Sequence, residues 1–119
     1  METSKNIVER TFNFALDILK LSRKLDGKLS PQRIILNQVI RSGTSIGANI
    51  EEAQAAESKA DFIHKYNIAL KEARETKYWL RLLCASDIIP EQNIAILLKE
   101  SDEISRVIAQ IIINSRKSQ

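Results

Sequence analysis

Apolar residues recur along this chain at three- and four-residue intervals with few interruptions, the spacing that gathers them on one face of a helix. From Lys5 to Leu25, Val8, Phe12, Ala15 and Leu19 make one stripe and Phe14, Ile18, Leu21 and Leu25 an adjacent one. Asn6, Arg10, Asn13, Asp17, Lys20 and Lys24 make the polar face. Gly27 supplies a left-handed residue to end this first helix. Ser30 is the expected N-cap of a second, with Pro31 at its first position, running to about Glu57. Ser58 and Asp61 form a capping-box variant that starts a third helix over residues 59–86. Pro90, with Glu91 in the first turn, opens a fourth that continues to about Arg116.

Helices of ~21 to 28 residues joined by connections this short pack against one another as antiparallel neighbours. The expected fold is all-α, an antiparallel up-down-up-down four-helix bundle. With 119 residues, 44% of them hydrophobic, residues 1–119 suffice for one domain with a real core and hardly for two. No repeat, linker or low-complexity stretch argues otherwise.

One stretch breaks the helical grammar. Gly43 and Gly47, two of the three glycines, lie four residues apart inside the second helix, where each costs about 1 kcal/mol relative to alanine. On a helical wheel Leu36, Val39, Ile46, Ile50 and Ala53 share their face, so both glycines are expected to turn inward as a notch. Phe12, Phe14 or Phe62 are the side chains large enough to fill it. Asn49, at the edge of this face, is placed to hydrogen-bond across a helix boundary.

Apolar residues also fall outside the core arcs. On the third helix Phe62, Tyr66, Ala69, Ala73, Leu80 and Leu83 line the core, whereas Ile68, Trp79 and Leu82 form a second patch. The fourth helix ends in Val107 to Ile113, apolar almost all round. Homo-oligomerisation through Ile68, Trp79 and Leu82 is the simplest use of that surplus.

Charge refines the picture. The net charge is +3, and residues 5–28 and 59–86 each carry +3, so the odd-numbered helices are the basic ones. On the third helix Lys59, Lys71, Arg74, Lys77 and Arg81 fall within one flank ~33 Å long, away from Asp61, Glu72 and Glu75. This stripe reads either as a solvated face with ordinary ion pairs or as a phosphate-contacting surface extended by Lys20 and Lys24. RNA or DNA is then the partner, bound without base specificity. Few aromatic residues are available for stacking on single strands.

Catalytic chemistry finds little to work with. His64 is the sole histidine and Cys84 the sole cysteine, so one chain holds no Cys/His zinc site, and Asp61-x-x-His64 lacks the second pair that a di-metal bundle needs. Along one continuous helix Cys84 and His64 stand ~30 Å apart, too far for a nucleophile and its base. There is no phosphate-binding glycine loop after a strand. Glu51 and Glu52 point ~100° apart and read as surface charge. No catalytic residue, metal or cofactor is expected, and the protein is not expected to be an enzyme. The single cysteine and an N-terminus without an apolar signal core favour the cytoplasm, and no apolar run is long enough to span a membrane.

Two stretches carry a specific resemblance. The run from Gln38 to Ala53, with Arg41, Gly43, Ser45, Gly47 and Asn49, is similar to the hallmark of the bacterial four-helix-bundle proteins encoded by intervening sequences in 23S ribosomal RNA genes. The run from Lys59 to Leu80, with its Ala69-x-x-Glu72-x-x-Glu75 rhythm, resembles that family's third helix, and helix order matches over nearly all of the chain. The resemblance implies a cytoplasmic bundle assembled as a ring-shaped homopentamer with nucleic acid as partner. A related branch comprises accessory proteins of diversity-generating retroelements, which work beside a reverse transcriptase. The competing reading is a structural adaptor whose partner is another protein, such as a reverse transcriptase or a ribosome-associated factor.

Overall fold

The computed structural model describes residues 4–24, 30–86 and 91–118, which form helices and short connections with no strand among them. Four helices follow in order: α1 (Ser4–Lys24), α2 (Pro31–Gln54), α3 (Lys59–Ser86) and α4 (Glu91–Lys117). Their termini follow the chemistry of the chain. Ser30 adopts an extended backbone (φ −149°, ψ 161°), and its hydroxyl accepts from the Arg33 amide at 3.1 Å, with Pro31 opening the helix. Ser58 Oγ likewise accepts from the Asp61 amide at 3.0 Å, and Asp61 Oδ2 from the Glu57 amide at 3.4 Å. α2 ends at Gln54 instead of about Glu57, because Ala55 and Ala56 tighten the last turn with bonds to Glu52 and Ala53. The expected roles of Gly27 and Pro90 lie outside the described residues.

Cross-bridges fix the topology. Arg33 Nη1 reaches the Ser22 carbonyl and Gly47 abuts Thr11, so α1 and α2 run antiparallel. Ser42 with Thr76 and Glu52 with Lys65 do the same for α2 and α3, as do Lys77 with Asp102 and Lys59 with Ser118 for α3 and α4. Arg10 with Glu100 closes the square between α1 and α4. α1 and α3 occupy opposite corners, with no Cα of one within 8 Å of the other.

One core runs down the middle of this 50 × 22 × 18 Å rod. Ile7, Phe14, Ile18 and Leu21 of α1 face Leu36, Val39, Ile46 and Ile50 of α2, Tyr66, Leu80 and Leu83 of α3, and Ile94, Ile104 and Ile108 of α4. Each such side chain contributes on the order of 1.5–3 kcal/mol on leaving water. The glycine notch faces inward as expected, but its occupants differ. A Cβ on Gly43 would run into Ile18 Cδ1, and one on Gly47 would sit 3.3 Å from the Thr11 carbonyl oxygen. Phe12 is instead 62% exposed, because its stripe lies beyond the arc that α2 and α4 can cover.

Small polar residues surround the notch. Thr11, Ser42, Thr76 and Ser101 are all fully buried; Thr11, Ser42 and Ser101 donate their hydroxyls to carbonyls of their own helices, whereas the single Thr76 hydroxyl hydrogen is shared between the Glu72 carbonyl and Ser42 Oγ, which accepts. Thr76 Oγ1 also lies 2.8 Å from Ser42 Oγ, a buried link between α2 and α3. Asn49 does not cross a helix boundary: its amide donates to the Ser45 carbonyl one turn back, at 2.9 Å. The apolar tail of α4 is mostly core as well, with Ile108, Ile111 and Ile112 buried and Ile113 left outside.

Candidate nucleic-acid interface

The seven cations marked in the sequence do not form one surface. Lys20 and Lys24 line the α1–α4 groove together with Asp17 and Asn93, on the corner opposite α3. On α3, Lys59 donates to the Ser118 carbonyl at the end of α4, and Lys77 pairs with Asp102 at 2.7 Å. Lys71, Arg74 and Arg81 remain exposed, with no ion pair among the described residues. They share the outward flank of α3 with Tyr78, which is 53% exposed.

α4 completes the surface that the charge count overlooked. A cleft of about 550 Å³ between α3 and α4 is lined by Lys77, Arg81, Lys99 and Arg106, with Cys84 and Leu98 at its apolar side and Asp102 as its single acid. Lys77 and Arg106 both hold Asp102, whose carboxyl is kept below its ordinary 3.8 first by the hydrogen bond from Lys77. The acid is neutralised locally, and Arg81 and Lys99 are left to face solvent. Lys99 and Arg106 stand seven residues apart and therefore share a face of α4, a periodicity hidden by that segment's excess of acids.

The α2–α3 side has the opposite character. Arg41, half exposed, bonds Glu75 and lies 3.6 Å from Glu72, while Trp79 Nε1 donates to Glu75 at 3.0 Å. One Glu72 oxygen, Oε2, is buried without a hydrogen-bond donor. Lys65 pairs with Glu52 at 2.9 Å, a bond that raises its pKa. Gln54 donates to the Tyr66 hydroxyl at 3.4 Å, and burial pushes that phenol above its ordinary 10.0. The motif positions Arg41, Gly43 and Gly47 thus join helices, while Ser45 and Asn49 bond each other one turn apart. Of the apolar patch, Ile68 and Trp79 are half-buried and only Leu82, at 38%, is exposed. Phe12, Leu16 and Leu19 on α1 are more exposed than any of them.

No group of three or more His, Cys, Asp or Glu residues suited to a metal ion occurs among the described residues, and no described helix is long and apolar enough to cross a membrane. The arrangement is that of a four-helix bundle with charged clefts between its helices. The chain belongs to the 23S rRNA-intervening sequence protein family, whose model matches residues 3–110. It is similar over 89% of its length, at 40% identity and a TM-score of 0.79, to a crystal structure from Bacteroides thetaiotaomicron VPI-5482, of which 97% is covered. That structure is described as a protein of unknown function from the S23 ribosomal protein family. No curated protein matches the chain.

Proposed function

We propose that this protein is a non-enzymatic, self-associating bundle of the cytoplasm that holds structured RNA by its phosphates. The observation that carries the reading is the set of exposed cations Lys71, Arg74 and Arg81, without an ion pair among the described residues, beside a cleft where Asp102 is already neutralised. Cations spread along the α3 flank and around a shallow cleft suit backbone charge and shape. Self-association is supported by Phe12, Leu16 and Leu19, exposed in one row along α1, and by exposed Leu82 on α3.

Fluorescence anisotropy with a structured RNA across a salt series tests the phosphate reading. Binding is expected to weaken steeply with salt, and the Lys71→Glu/Arg74→Glu/Arg81→Glu variant to lose on the order of ten-fold or more with a shallower salt slope. Absence of binding at low salt, or an unchanged slope in the variant, overturns it.

A further inference from the structure

Two apolar rows on the surface have matching spacings. On α1, Phe12, Leu16 and Leu19 are 62%, 40% and 44% exposed, and exposed Arg23 continues the row by one turn. On α3, Leu82 and half-buried Trp79 are flanked by Glu75 and by exposed Ser86. From Phe12 to Arg23 the steps are four, three and four residues, and read backwards from Ser86 to Glu75 they are four, three and four again. This is the alternation of a coiled-coil seam, and running one row backwards sets each residue against its counterpart in an antiparallel pair. Within one chain the rows cannot meet, since α1 and α3 stand at opposite corners.

We propose that the α1 row of one copy packs antiparallel against the α3 row of a second copy, with Leu16 opposite Leu82, Leu19 opposite Trp79 and Arg23 opposite Glu75. Charge favours a second copy as the occupant. A single Arg41 serves both Glu72 and Glu75, with its Nη1 3.6 Å from Glu72 Oε2, which leaves the pair of carboxylates with an excess negative charge. Arg23, which has no ion pair among the described residues, arrives at that cluster in the matched register. Phe12 then reaches the end where the Ser42–Thr76 pairing sets Ile34, 50% exposed, about level with the turn that carries Leu82. The two rows are different surfaces, so the contact is heterologous and repeats until it closes a ring or extends a filament. A row ~16 Å long and one helix, ~10 Å, wide covers on the order of 200 Å² per partner, short of the ~800 Å² of a stable pairwise interface, so an assembly in which each copy uses both rows is favoured over a dimer held by one.

This inference rests on the self-association proposed above, and cysteine cross-linking of the full chain separates the two. In a Cys84→Ser background, chains carrying Leu16→Cys are mixed with chains carrying Leu82→Cys and oxidised, and light scattering measures the mass of the unmodified protein. The expected result is an oligomer, with cross-linked dimers in the mixture and a ladder of covalent multimers from the doubly substituted chain. Leu16→Glu, at an exposed position and with helix content checked by circular dichroism, is expected to weaken association on the order of thirty-fold or more. A monomer overturns both readings. An oligomer that yields no 16–82 link, or links Leu16→Cys chains to one another instead, overturns the seam alone.

Discussion

The α2–α3 and α1–α2 seams hold the same helix from its two sides by different means. Between α2 and α3 the link is polar, through Ser42 with Thr76, Arg41 with Glu72 and Glu75, Glu52 with Lys65 and Gln54 with Tyr66. Between α1 and α2, apart from Arg33 on the Ser22 carbonyl at one end, it is steric: Gly47 lets the Thr11 backbone in, and Gly43 makes room for Ile18. The polar seam specifies register because buried Ser42 and Thr76 must meet where water cannot replace either, whereas a glycine notch specifies distance because any added atom meets a neighbour. α2 thus has its height set on one side and its spacing on the other.

The comparison breaks most readily at Gly47. Gly47→Leu forces side-chain atoms into a gap closed by rigid helix backbone, and urea unfolding is expected to show a loss of about 3 kcal/mol or more. On the polar side Thr76→Val keeps the shape and removes the bond to Ser42, for an expected cost of about 1–2 kcal/mol. A double-mutant cycle with Ser42→Ala returns a coupling of about 1 kcal/mol if the link between the helices, and not volume, is responsible; a coupling near zero assigns the loss to packing. Alkaline pH produces the smallest effect. The phenol of Tyr66 has a folded pKa raised above 10.0, so its contribution is fully present below about pH 10 and fades as pH rises through the folded value. Tyr66→Phe is expected to flatten that decline in unfolding experiments between about pH 9 and 11, and an unchanged slope would assign it to other groups.

Much of this was legible before any coordinates. Ser30 with Pro31 and Ser58 with Asp61 gave their helix starts away because capping is settled within a few residues. The inward face of Gly43 and Gly47 followed from periodicity alone. The stripes of α1 did not resolve in the same way. Phe12 and Phe14 looked equally fit for the core, and only the positions of α2 and α4 decide that Phe14 is covered and Phe12 is left outside. The basic face misled for a related reason, since Lys59 and Lys77 find partners on α4 that no spacing within α3 reveals.

The chain by itself determined its helices, their order and the inward face of Gly43 and Gly47, because capping, glycine placement and 3.6-residue periodicity act over one or two turns. Tertiary structure alone decided which of two apolar rows on α1 enters the core. It also decided which cations are spent on Asp102 and Ser118 and which stay free, and that Lys99 and Arg106 join Arg81 around one cleft. Those outcomes depend on which helix stands at which corner, because Asp102, Lys99 and Arg106 meet the α3 cations only across the boundary between two helices.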